Sequence, residues 1–264
     1  MNRRQILFAA TAAVFSLSAG AQTIPAAIKK AGKIRVALEY GRPPWGFKDM
    51  SLKPMGSDYD TAVLLAGDLG VDLEIVEVAG PNRVPILLTG KADVVISTFS
   101  ITAERQKVVD FSVPYASAIQ YIAAPRTLQL RDPKDLAGKR VGVTRGTTGD
   151  AAISKLELPG LEIVRFDDES TNMTAFASGQ VDIVVQEPAV IKRVAEQNPK
   201  REIEQKFTIA EFDVGIGLRK NDAELSSVIN DWVRTNLANG KLNAIYRRYH
   251  GVDLPSSIQA GSKQ

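Results

Sequence analysis

The sequence predicts an α/β fold with mostly parallel sheets, and three observations predict it. Segments with helical periodicity alternate with short apolar runs along the chain, the order that lays helices against a parallel sheet. One helix–glycine–strand unit occurs twice: LLTGKADVVIS at 87–97 is echoed by FASGQVDIVVQ at 176–186. The 264 residues, 44% hydrophobic and 24% charged, give enough length and apolar content for a large core or two lobes.

In chain order, Arg3 and Arg4, an apolar run at 6–17 and Ala19-Gly20-Ala21 read as a secretory signal peptide cleaved after residue 21. The run is too short for a membrane span. Asp60 can cap a helix that runs to Leu69 and stops at Gly70. Val71, Leu73 and Ile75 alternate with Asp72 and Glu74, the pattern of a half-buried strand. A short helix over 84–89, closed by Gly90, leads into a strand over 93–97. Further strands are expected at 140–144, 161–166 and 182–186, with helices after Thr148 and over 171–178. Two helices, at 222–238 and 241–249, end the pattern.

Composition excludes several functions. Removing residues 1–21 takes away Arg3 and Arg4 and no acid, so a net charge of +3 becomes +1. With no basic run to track phosphates, no nucleic-acid partner is expected. There is no cysteine, hence no disulfide, thiol nucleophile or cysteine–zinc site. Gly146-Thr147-Thr148 lacks the lysine of a nucleotide-binding loop. Neither a metal nor a cofactor is expected. Asp167-Asp168-Glu169 lacks calcium-loop spacing and reads as a solvated turn. Asp93 and Asp182 read as strand-entry residues, and His250, the only histidine, as a helix C-terminal charge.

In open parallel sheets, ligands sit beyond the carboxyl ends of strands. The echoed units put two such ends in equivalent positions. One delivers Ser97 to Arg105, with hydroxyls at Ser97, Thr98, Ser100 and Thr102; the other delivers Gln186-Glu187. Thr102 suits a helix N-cap. Free N–H groups, hydroxyls and the planar fork of Arg105 together suit a small carboxylate. Glu187 across a gap suits an ammonium group. A molecule carrying both charges is an α-amino acid.

SITAER followed by VVDFSVPY, with GSDYDTAVLLAGDLGV before it and TRGTT and GIGLRKND after it, resembles the polar amino-acid solute-binding proteins of ABC importers. The resemblance covers nearly all of 33–250. It implies a periplasmic-binding-protein type II fold: two α/β lobes, 22–117 with 212–264 and 118–211, joined by two crossover strands that act as a hinge. It implies that Arg105 grips the α-carboxylate, with Thr98 and Ser100 beside it. Thr148, with Thr147, supports the same group from the second lobe. Glu187 takes the place of the amine-binding acid, more often an aspartate. Arg42 stands near the usual stacking aromatic, with Tyr40 and Trp45 flanking it and Phe99 as a substitute platform. Asn82-Arg83-Val84-Pro85 resembles the branch that binds glutamate or aspartate, which places Arg83 near a side-chain carboxylate. Arg42 and Arg83 together favour an acidic or amide L-amino acid, glutamate first; pairing of Arg42 with Glu39 would instead leave a neutral pocket. The implied protein is a periplasmic monomer that delivers its ligand to a membrane permease and is not an enzyme. The alternative is a cyclohexadienyl-dehydratase-like enzyme of the same fold, with Glu187 as general acid.

Overall fold

The computed structural model describes residues 24–261; the signal-peptide reading lies outside the described residues. The chain enters through α1 (Ala26–Ala31) and β1 (Lys33–Leu38), then makes a small antiparallel ribbon from β2 (Phe47–Lys48) and β3 (Pro54–Met55). There follow α2 (Ser57–Leu69), β4 (Asp72–Glu77), α3 (Arg83–Leu88), β5 (Val94–Val95), α4 (Ala103–Gln106) and β6 (Val109–Phe111). A long strand, β7 (Ala116–Pro125), leaves for a second sheet. That sheet is built with β8 (Arg140–Thr144), α5 (Thr148–Ser154), β9 (Glu162–Phe166), α6 (Glu169–Ser178), β10 (Ile183–Gln186) and α7 (Pro188–Gln197). The chain returns along β11 (Ile203–Val214) to β12 (Gly217–Arg219), α8 (Ala223–Ala238), α9 (Lys241–His250) and α10 (Ser256–Ala260).

The two sheets are built alike. The first has the order β4-β1-β5-β12-β6 and the second β11-β7-β10-β8-β9. In each, a central strand pairs in parallel with two neighbours: β1 with β4 and β5, β8 with β9 and β10. In each, the last of these pairs antiparallel with the next strand, β5 with β12 and β10 with β7. The echoed sequences therefore end in β5 and β10, which hold the same place in their sheets. Both are buried apolar runs, as strands covered on two faces require. β4, at an edge, is half-buried over 73–76 and exposed at both ends. The crossover strands β7 and β11 pair antiparallel from Ala116 opposite Val214 to Pro125 opposite Ile203. This is the two-lobed α/β architecture with two hinge strands.

Each lobe has its own core. Ile34, Val36, Leu65, Val94, Trp232 and Val233 pack together in the first; Ile122, Leu136, Val141, Val143 and Ile153 do so in the second. Trp232 is buried with its Nε1 donating to Asp68 at 2.9 Å, so the indole's polar atom is satisfied.

Some local expectations change. The N-cap of α2 is Gly56, not Asp60. Gly56 has φ 121°, and a Cβ there would lie 2.2 Å from the carbonyl oxygen of Trp45, so only glycine fits. Asp60 instead accepts hydrogen bonds from Arg248 and Tyr249. Thr102 caps α4 as expected, accepting from the amide of Arg105 at 3.2 Å. Thr147 caps α5 by accepting from the amide of Asp150, which puts Thr148 inside the helix. α6 starts at Glu169, capped by Asp168, two residues before the expected start.

Candidate functional site

The segment after β5 is shaped by a buried acid. Asp58, in the first turn of α2, accepts from the amide and the hydroxyl of Thr98 at 2.7 and 3.0 Å and from the hydroxyl of Tyr115 at 3.0 Å. These bonds hold Thr98 at φ 45°, a left-handed conformation that a β-branched residue rarely adopts. Burial pushes the Asp58 carboxyl up to about 6, against the lowering effect of its hydrogen bonds and of Arg42.

Past this corner, Arg105 folds back. Its Nη1 donates to the carbonyl of Ser100 at 2.8 Å, and its Nη2 reaches the second lobe, donating to the carbonyl of Gly146 at 3.2 Å. Ser100 Oγ lies 3.5 Å from Thr148 Oγ1, a second contact between lobes. Thr147 donates its hydroxyl to the carbonyl of Thr144, which fixes the loop before α5. Burial, and then the charges of Arg83 and Arg42, push the Arg105 guanidinium down to about 9, which leaves it protonated at neutral pH. Arg83 is buried; it donates to the carbonyls of Gly80, Ser97 and Thr98 at 3.0, 2.9 and 3.2 Å, and its Nη2 makes none of these bonds. Among the described residues, neither Arg83 nor Arg105 has a carboxylate partner at ion-pair distance.

The opposite wall is acidic. Glu187, at the start of α7, accepts at Oε1 from Arg42 Nη2 at 2.5 Å and from Gln120 Nε2 at 3.0 Å. Glu169 accepts from Thr144 Oγ1 at 2.9 Å and from Gln186, and lies 3.7 Å from Arg42 Nη1. Burial opposes the charge on Arg42, yet Glu187, Glu169 and Glu39 together hold its guanidinium above the ordinary arginine range. Glu187 Oε2 and Glu39 Oε2 are buried and have no hydrogen-bond partner.

The structure thus brings Arg105, Arg83, Ser100, Thr98, Thr148, Thr147, Glu187 and Arg42 to one interlobe region. Three expectations need correction. Arg42, expected as a second cation for the ligand side chain with pairing to Glu39 as the alternative, is engaged by Glu187 and Glu169. Phe99 is no open platform: it is 0% exposed in the core with Leu87, Val95 and Val109, against Phe111, with the Arg105 guanidinium 4.7 Å from its ring centroid. His250 is no helix-end charge. It stacks on Tyr246, meets the edge of Trp45 and shares a 3.0 Å hydrogen bond with Ser57 Oγ; burial lowers its pKa to about 4, so it is neutral. Sequence reasoning also missed Asp58, Gln120 and Glu169, and it placed Gln186 at the strand end without giving it a partner. Glu169 sits in the acidic run taken for a solvated turn, yet it is 2% exposed. Asp168 caps α6 and Asp167 pairs with Arg145 on the surface, so only the third acid turns inward.

Glu169 gives a pH prediction. Its pKa is raised from 4.5 to about 7, first by burial and also by Glu39 and Glu187, against Arg42 and the Thr144 hydrogen bond. A carboxyl raised in the folded state stabilises it fully below the unfolded pKa, and that contribution is lost as pH rises through the folded value. Asp58 acts in the same direction up to about 6; His250, depressed from 6.5 to about 4, acts oppositely, losing stability as pH falls. The urea midpoint of Glu169→Gln should therefore fall less between pH 5 and 8 than that of the wild type. Parallel profiles for the two proteins would show that Glu169 titrates normally.

Two lobes, a hinge and a charged interlobe cleft define a solute-binding protein. The chain belongs to the bacterial extracellular solute-binding proteins, family 3, whose model matches residues 34–252. It is 30% identical over 234 residues to the L-arginine-binding protein of Pseudomonas aeruginosa, covering 85% of this chain and 90% of the relative. Among solved structures, a P235GK mutant of the arginine-binding protein ArgBP from T. maritima superposes with a TM-score of 0.79 at 34% identity, covering 86% of this chain and 98% of that one. AncCDT-1, an ancestral amino acid-binding protein described as a precursor of cyclohexadienyl dehydratase, superposes with a TM-score of 0.77 at 31% identity, covering 84% and 97%. These relatives are binding proteins. Among the described residues, no helix is long and apolar enough to cross a membrane.

Proposed function

We propose that this chain is a periplasmic binding protein that captures a polar L-amino acid between its lobes and delivers it, as a monomer, to the permease of an ABC importer. The observation that carries this reading is two first-lobe arginines without a carboxylate partner among the described residues, together with a second-lobe acid, Glu187, that keeps one buried oxygen without a hydrogen bond. Arg105 and Arg83 have backbone carbonyls but no carboxylate partner. Glu187, from the second lobe, and Glu39, from the first, each keep a buried carboxylate oxygen without a hydrogen bond, while the other oxygen of Glu187 holds Arg42. An α-carboxylate on Arg105, supported by Ser100 and Thr148, and an α-ammonium on Glu187 Oε2 complement both walls. Binding that engages groups from both lobes favours the arrangement in which they meet.

An acidic or amide side chain is favoured, glutamate first. Arg83 retains Nη2 for it, and Arg42 stands on the acidic wall where a cationic side chain would meet a like charge. An L-arginine ligand, the one named for the Pseudomonas relative, would carry its guanidinium against that of Arg42. Calorimetry on the protein from residue 22 onward, with glutamate, aspartate, glutamine, histidine and arginine in competition, tests the ranking. Glutamate should bind tightest and arginine weakest; arginine binding tightest overturns the ligand assignment, and no binding at all overturns the function. A dehydratase is the second reading, given AncCDT-1. It is disfavoured because Glu187 serves here as the acceptor of Arg42 and Gln120, not as a proton donor to a leaving group. Turnover of prephenate by the purified protein would reverse that preference.

A further inference from the structure

Arg42 belongs to the first lobe, on the loop after β1, and the acids its guanidinium meets belong to the second. Its Nη2 lies 2.5 Å from Glu187 Oε1 and its Nη1 3.7 Å from Glu169 Oε2. Among the described residues, these are the ion pairs that cross between the lobes. Two further contacts across the cleft join no opposite charges: Arg105 meets the carbonyl of Gly146 at 3.2 Å, and the hydroxyls of Ser100 and Thr148 stand 3.5 Å apart.

Both ends of the Arg42 contact are held in place. Its amide donates to the carbonyl of Gly46 at 2.9 Å, and its carbonyl accepts from the amides of Trp45 and Gly46 at 2.8 and 3.0 Å. On the other side, Thr144 and Gln186 hold Glu169. Gln120, from the hinge strand β7, donates at 3.0 Å to the same Glu187 oxygen that Arg42 grips. Two donors thus sit on Oε1, and the buried Oε2 is left without a hydrogen bond. With the lobes together, Arg42 neutralises two acids that are 2% and 3% exposed. With the lobes apart, water solvates all three groups. Removing one member of a buried pair strands the other charge. Without Arg42, then, the lobes can meet only by burying two uncompensated carboxylates.

We infer that Arg42 is the clasp between the lobes: its grip on Glu187 Oε1 and on Glu169 holds the lobes together and leaves Glu187 Oε2 presented to the ligand. Closure then depends on a contact the chain makes with itself as well as on the ligand, and Arg42 is a positioning residue for Glu187. The affinity expected below rests on the amino-acid-binding function proposed above; the interlobe distance does not.

The chain has no cysteine, so spin labels on two introduced cysteines read that distance. Leu88, at the end of α3, and Lys155, just past α5, are exposed and lie on different lobes. At pH 8 with no amino acid added, Arg42→Met should shift the labels to longer distances and reduce the short-distance population at least about tenfold relative to the wild type. Adding Glu169→Gln to Arg42→Met should restore part of that population, whereas Glu169→Gln in the wild type should not increase it. The Kd of the tightest amino acid in the competition series should rise at least about tenfold in Arg42→Met. Wild-type distances in folded Arg42→Met overturn the inference, as does a Glu169→Gln effect of the same size and sign in both backgrounds. Should Arg42→Met fail to fold, Arg42→Gln is read in the same way, and wild-type distances there overturn it. A wild-type protein that binds no amino acid removes the function proposed above and leaves the distance readout standing. Distances that ignore Arg42 in a protein that still binds its ligand remove the clasp alone.

Discussion

Arg105→Ala is expected to abolish measurable amino-acid binding while leaving a folded protein. The side chain makes no ion pair with any described residue. Its bonds are to the carbonyls of Ser100 and Gly146, one in each lobe. Hydrogen bonds to a charged group are worth roughly 1.5–3 kcal/mol each. Losing a two-pronged grip on a carboxylate therefore costs on the order of a hundredfold or more in Kd. Arg105→Lys should recover little, because an ammonium cannot present two parallel donors. Calorimetry with the tightest ligand reads the effect, and the thermal midpoint checks folding. Near-wild-type affinity in folded Arg105→Ala would make Arg105 a bridge between lobes and nothing more.

Asp58→Ala is expected to cost both stability and binding. One carboxylate satisfies the Thr98 amide, the Thr98 hydroxyl and the Tyr115 hydroxyl, all buried. Stranding buried donors costs about 1–3 kcal/mol each, so a loss of about 3 kcal/mol or more follows. Asp58→Asn should recover part of this loss, because its Oδ1 can still accept from Thr98 while its Nδ2 donates to the Tyr115 hydroxyl, which can turn to accept. In Asp58→Ala, freed of its anchor, Thr98 should leave φ 45°, and the segment through Ser100 should lose its shape. Tyr115→Phe is the control: it removes one bond, costs about 1 kcal/mol and should leave affinity within a few-fold. Urea denaturation and ligand titration of the three variants check this. Wild-type affinity in Asp58→Ala would separate the anchor from the site.

The alternation of helices and strands was legible because β5, β8 and β10 are largely apolar runs bounded by glycine and polar turns. The duplicated unit foretold that β5 and β10 would hold the same place in two sheets. Arg105, with Thr102 as cap, was readable because a cap and its helix are local in sequence. What was not legible depends on which way one side chain turns after the lobes are built. In the run Asp167-Asp168-Glu169, composition cannot say that the third acid points inward to Thr144 and Gln186. Asp58 fell before the helix expected from Asp60, and nothing local marked it, since its partners at Thr98 and Tyr115 are far along the chain. The partners of Arg42 come from the other lobe, so neither the reading of Arg42 as a second cation for the ligand nor the alternative of a local pair with Glu39 could find them.

The place of β12 bears on how the molecule is made. It pairs with β5 on one side and β6 on the other, and it is encoded after the whole second sheet. A chain emerging from its N-terminus can finish β7 to β11 as one contiguous unit, while the first sheet waits with an open slot between β5 and β6. The apolar edge at Val94 and Val95 stays unpaired on that side until Gly217 and Leu218 arrive. Closing the slot joins segments far apart in sequence, the slow kind of contact. During synthesis, then, the half that carries Arg105 is the last to complete its sheet and the longest exposed to sticking or cleavage.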